Sequence, residues 1–141
     1  MTVEQRPVIR RLLASLFYEA LVVFSLLMVG FWIPQTVLAP ILLSLDKANY
    51  QRLLMLHIFI LLLVYFVWFW LNGGQTLSMK TWRLRLISSD GYRLRPAQAL
   101  LRYLAAWPSV LLLVGILWAF FDRDRRFLHD RIAGTRIIAV D

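Results

Sequence analysis

The chain has 141 residues, 60% of them hydrophobic and only 17% charged, with 16 Lys+Arg against 8 Asp+Glu and a formal charge of +8 at pH 7. Soluble domains carry about 45–50% apolar and about 25% charged residues, so this balance excludes an ordinary water-soluble globule and a disordered chain. The length fits one domain over residues 1–141; the absence of cysteine excludes a disulfide scaffold and thiolate chemistry, and His57 and His129 are too few for a multi-histidine metal centre.

Arg6, Arg10 and Arg11 precede a first apolar run, 12–33, that is interrupted by one carboxylate, Glu19. At ~1.5 Å per residue the run extends ~33 Å, enough to cross a ~30 Å hydrocarbon core. It is longer than a signal-peptide core and Gly30 to Pro34 offers no small-x-small cleavage pattern, so it is expected to be retained as a spanning helix. Residues 34–52 mix Val37, Leu38 and Ile41 with Asp46, Lys47 and Asn49, which predicts a connection along the outer interface. The second apolar run, 53–71, contains His57 and ends in Phe66, Trp68, Phe69 and Trp70, an aromatic cluster suited to an interfacial belt.

The next stretch, 72–102, opens on Gly73-Gly74 and holds Lys80, Arg83, Arg85, Arg93, Arg95 and Arg102. Here the hydrophobic period changes to two, with Trp82, Leu84 and Leu86 alternating with Arg83 and Arg85, and Asp90-Gly91 marks a turn; a short β element over about 81–95 is expected outside the membrane. Residues 103–121 form a third apolar segment, in which Pro108 predicts a kink or break at Trp107-Pro108. The stretch 135–140, T-R-I-I-A-V, again has strand character and can pair with 82–87. The sequence thus predicts an all-α membrane protein. It has two transmembrane helices, a third Pro-kinked or re-entrant apolar helical segment and a small cytoplasmic β element.

Lys and Arg number three before the first run, two in 34–52, six in 72–102 and five after Phe121. Cytoplasmic segments are the enriched ones, so the N-terminus and the 72–102 stretch are expected inside. Three simple crossings would place Arg123, Arg125, Arg126, Arg131 and Arg136 outside. The expectation is that the third segment bends and re-emerges, leaving positions near Met1, Ser89 and Asp141 all cytoplasmic. The same placement explains the basic residues as topology determinants and argues against nucleic-acid binding.

Glu19 most needs explanation, since an ionisable group inside a span costs about 2.5–3.5 kcal/mol and normally faces a partner or water. Arg11 lies ~12 Å away along the same helix, too far for direct contact, so the partner is expected on another segment unless the acid is protonated. One reading is a proton or cation carrier, with Tyr18 nearby and Ser15 on the same face at i−4; the other is a structural carboxyl held by an arginine. His57 is expected near the outer edge, separated from Glu19 by ~12 Å in depth. The charged constellation from Asp122 to Thr135 includes Arg126, His129 and Asp130, and Gly134 predicts a helix stop before the terminal strand.

Three blocks carry a family likeness. R-F-L-H-D-R-I-A-G-T-R-I-I, from Arg126 to Ile138, closely resembles the signature that ends the RDD family of small membrane proteins. G-Q-T-L-S-M-K-T-W-R-L-R-L-I-S-S-D-G, from Gly74 to Gly91, resembles its central segment, and R-R-L-L-A-S-L-F-Y-E, from Arg10 to Glu19, its first-helix motif. The resemblance implies that Arg11 (or Arg10), Glu19 and Asp130 correspond to the family's arginine and two acids, with Glu where the family more often shows Asp. It also implies a transport-related role, with cation/proton exchange attributed to some members. Together these features predict one polar cluster of Glu19, Asp130 and Arg10 or Arg11 toward the cytoplasmic side, with Tyr18, Arg126 and His129 as accessory residues.

Two or three short spans cannot enclose a pathway alone, so transport implies a homo-oligomer in what is expected to be a bacterial inner membrane. The alternative is an accessory subunit whose basic cytoplasmic face binds anionic headgroups or a membrane-protein partner. No constellation of nucleophile, base or metal ligands stands out, so neither an enzyme nor a cofactor is expected.

Overall fold

The first apolar run becomes α1, Ile9–Val37, and the second becomes α3, Lys47–Leu71, in a computed structural model that describes residues 7–140. Met1, Arg6 and Asp141, which entered the charge pattern and the topology expectation, lie outside the described residues. Both helices are long and apolar enough to cross a membrane. Their outer surfaces show why they need one: Phe17, Leu21, Phe24, Met28 and Trp32 stay exposed at i, i+4, i+7 spacing along α1, as do Leu56, Ile60, Val64 and Trp68 along α3. Stripes of that size facing water would drive aggregation, whereas lipid tails cover them without cost. Between the helices, α2 is a single turn, Ala39–Leu42, at the far end of the pair. There the His57 ring bonds the Gly30 carbonyl at 2.9 Å, and Gln35 donates to the Tyr50 hydroxyl.

After α3 the chain turns through Gly73 and Gly74, both at positive φ, into α4, Leu77–Thr81. The strand β1 then covers Leu84–Ser88. It starts two residues later than the alternation predicts, because α4 is capped at Trp82 and Arg83 takes a left-handed φ of 51°. Asp90-Gly91 does turn the chain, but Tyr92 to Leu94 form no strand, so β1 finds its partner elsewhere. That partner is β2, Thr135–Ala139, antiparallel with Leu84 opposite Ala139 and Ser88 opposite Thr135.

The intervening residues form α5, Pro96–Leu111, α6, Val114–Phe121, and α7, Leu128–Ala133. The pair α5–α6 is bent by 95°. The sequence reading placed this break at Trp107-Pro108, and the structure corrects it. Pro108 stays within α5, where its missing N–H removes one bond, and the chain reverses at Leu113, whose φ is 57°. Gly115 sets the bend: a Cβ there would lie 1.5 Å from the Ser109 hydroxyl oxygen, so only glycine lets α6 fold back this tightly. The amides of Leu112 and Leu113 bond back to the Pro108 and Val110 carbonyls, so the turn keeps part of its backbone hydrogen bonding.

The sheet joins the two ends of the chain path. α1 and α3 run across the membrane in opposite senses, so the start of α1 and the end of α3 share one face. Pairing of β1 with β2 brings the chain that follows α5, α6 and α7 back beside the strand that follows α3, and the bend between α5 and α6 leaves Leu111 to Val114 exposed. Two apolar centres sit beneath. Leu62, Trp70, Leu86, Leu94, Ala99 and Tyr103 join α3 and α5 to the sheet. Leu12, Met79, Leu84, Ala119 and Phe127 join the start of α1 to it.

Candidate functional site

The inward stripe of α1 runs through Leu12, Ser15 and Glu19, one helical turn apart each time, and meets α4 and the inner half of α3. At this junction the Glu19 carboxylate is half-buried and accepts three hydroxyls. Tyr65 of α3 donates to Oε1 at 3.0 Å, and Thr76 and Ser78 donate to Oε2. Thr76 is the N-cap of α4: its oxygen also accepts the Met79 amide at 3.4 Å, so one side chain fixes the short helix and points its proton at the acid. The Ser78 oxygen lies 3.1 Å from that of Thr76 and 3.5 Å from that of Ser15, extending the hydroxyl cluster. No Lys, Arg or His among the described residues forms an ion pair with Glu19.

The second acid is arranged differently. Asp130 is 1% exposed, and its Oδ1 takes the Arg102 Nε at 2.5 Å, with Arg102 itself 5% exposed. The Arg102 guanidinium carbon lies 4.3 Å from the centroid of the Trp70 ring. Thr135 at the start of β2 donates toward the Asp130 carbonyl (3.3 Å) and Oδ1 (3.4 Å), while Asp130 Oδ2 has no partner among the described residues. His129 stacks on Phe127 at 5.3 Å, and its Nε2 lies 3.5 Å from Arg102 Nη2 and its Nδ1 3.1 Å from the Ser109 hydroxyl oxygen. Burial pushes the imidazole down to about 4, with Asp130 opposing and Arg102 reinforcing the shift. Both ring nitrogens thus have polar neighbours, Arg102 at Nε2 and Ser109 at Nδ1.

The expected single cluster of Glu19, Asp130 and Arg10 or Arg11 thus resolves into two sets of contacts with no shared partner. Arg10 and Arg11 are exposed and pair with neither acid, because they fall beside the Leu12–Ser15–Glu19 stripe instead of on it. Tyr18 packs edge-on against Trp82 at 5.6 Å. Arg126 donates to Ser89 and Asp124, and its amide bonds Asp122, whose other oxygen holds Arg131 at 2.6 Å. Sequence reasoning missed Arg102, Tyr65, Thr76 and Ser78. Arg102 was counted among loop charges, although Ala99, Arg102, Tyr103 and Ser109 fall at helical spacing on the buried face of α5. Tyr65 is the lone hydroxyl within the second apolar run, and such a group inside a span needs a partner.

Among the described residues no group of three or more His, Cys, Asp or Glu side chains is placed to hold a metal. Around Glu19 the polar groups are oxygens alone, its own carboxylate and the hydroxyls of Tyr65, Thr76 and Ser78.

Comparison with known proteins places this geometry in a lineage. An uncharacterized protein of Rickettsia prowazekii (strain Madrid E) is 30% identical over 102 residues, which cover 67% of this chain and 57% of that protein, so the chain spans little more than half the relative's length. No solved structure matches. The RDD family model matches residues 6–134, and the chain is an integral membrane protein belonging to the RDD family.

Proposed function

We infer that the protein exchanges protons for a monovalent cation across a bacterial cytoplasmic membrane, as a homo-oligomer in which Glu19 is the carrier acid. The observation that carries this reading is the set of Glu19 partners: three neutral hydroxyls from two other segments, and no balancing cation among the described residues. A half-buried carboxylate so arranged needs a proton or a bound cation to be neutral, and hydroxyl oxygens can solvate either. The N-terminus and the sheet face the cytoplasm in this reading, supported by the Lys/Arg excess in the segments that share that face. Two spans and one half-span do not enclose a channel, which supports assembly of several copies around the path.

The test is cation-driven proton flux in liposomes containing the purified protein. Glu19→Gln should reduce the flux at least about tenfold and Glu19→Asp should retain part of it, because only a titratable oxygen can alternate between proton and cation. Equal flux in wild type and Glu19→Gln, or a monomer in mild detergent, would instead favour a non-transporting accessory subunit.

A further inference from the structure

We propose that the groove at the inner end of α3 binds the phosphate of an anionic phospholipid headgroup. The groove has a volume of about 510 Å³, and Trp70, Asn72, Gly74, Arg85, Tyr92 and Arg93 are among its lining residues. It begins at the last turn of a helix that crosses the membrane, which sets it at headgroup level.

Three features give it the chemistry of an anion site. Arg85 and Arg93 are exposed, neither forms an ion pair among the described residues, and no acid lines the groove. Trp70, 4% exposed, gives the groove a buried wall, its ring held with the Arg102 guanidinium carbon 4.3 Å from the centroid. Gly74, at φ +71°, accepts the Leu86 amide at 2.7 Å. A Cβ there would lie 2.4 Å from the Leu86 carbonyl oxygen and 3.2 Å from the Arg85 Cγ, so glycine brings β1 and the Arg85 stem against the helix end. Two guanidinium groups flanking one cavity match the oxygens of a phosphodiester better than a single point charge does.

The occupant is a lipid instead of a soluble phosphate because of what lies beside the groove. Trp68 and Leu71, on the last turn of α3, are exposed at 65% and 36%, so an apolar surface for glycerol and acyl chain adjoins the basic one. The exposed Tyr92 at the rim is the kind of side chain that sits among headgroups. Glu19 is not among the lining residues, so lipid binding and ion exchange can be measured independently.

The experiment is native mass spectrometry and lipid titration of the full chain in neutral detergent, with phosphatidylglycerol and phosphatidylcholine as probes. Phosphatidylglycerol should bind preferentially. Arg85→Gln with Arg93→Gln should weaken it about thirtyfold, whereas Lys47→Gln with Arg52→Gln, the same loss of charge at the opposite end of α3, should weaken it less than about threefold. Arg85→Lys with Arg93→Lys keeps the charge without the guanidinium fork and should bind between the wild type and the Gln pair, which separates lost binding from lost folding. Equal weakening by the two Gln pairs, or no preference for phosphatidylglycerol in the wild type, would overturn the proposal. Glycerol phosphate competing as well as phosphatidylglycerol would also overturn it, in favour of a soluble phosphate ligand.

Discussion

Glu19 and Asp130 are two carboxylates that the protein treats in opposite ways. Asp130 lies fully buried against Arg102, and the pair ties α5 to α7 and the start of β2. Glu19 is only half-buried and is met by hydroxyls alone. An acid balanced inside the chain has no need of an external ion, while an acid offered neutral donors keeps its charge available. In the proposed function, the contrast divides the polar interior into a fixed part and an exchangeable part.

The most severe way to break the fixed part is Arg102→Met, which leaves Asp130 buried and unpaired; thermal or denaturant unfolding in detergent should show a loss of about 3–5 kcal/mol. Adding Asp130→Asn to that variant should recover much of the loss, and strict additivity would show that the two side chains do not act as a pair.

Acid sharpens the same comparison. The His129 imidazole sits near 4 when folded and near 6.5 when free, so the unfolded chain binds the proton first. Its contribution is complete above pH ~6.5 and shrinks as pH falls toward 4, with roughly 2 kcal/mol lost at pH 5. His129→Gln should flatten that stretch of the stability profile, whereas Glu19→Gln should leave the His129-dependent slope in place.

Smaller effects belong to the exchangeable part. Thr76→Val removes both the α4 cap and one Glu19 donor, with an expected cost of about 1 kcal/mol in unfolding and a further loss of flux. Smallest is the stability change of Glu19→Gln itself, expected below about 1 kcal/mol because no ion pair is broken. A stability loss as large as that of Arg102→Met would erase the distinction between the two acids.

Much of this fold is legible in the residues, and what is not has identifiable causes. Uninterrupted apolar length identifies α1 and α3, period-two alternation points to the first strand, and the β-branched run of residues 135–140 marks its partner. The bend escaped because Pro108 marks only a local weakness, while the reversal at Leu113 depends on the close approach of Gly115 to Ser109. Arg102 escaped because counting charges by segment ignores the side of the helix each one occupies. Glu19 stands out at once as an acid in an apolar run, but its three donors come from positions 46 to 59 residues further along the chain. Local spacing cannot show such an encounter.

The β1–β2 pairing also bears on the order of events during insertion. Its strands are separated by the whole of residues 89–134, so they meet only after α5, α6 and α7 have emerged. Closing so long a loop is entropically slow, and until it closes the apolar segment 103–121 has the length to thread fully across the bilayer. Once the ladder from Leu84 to Ser88 forms, reversing that choice means dragging a paired, arginine-bearing strand through hydrocarbon. The small sheet thereby acts as a topological latch, converting a choice between threading and dipping into a commitment.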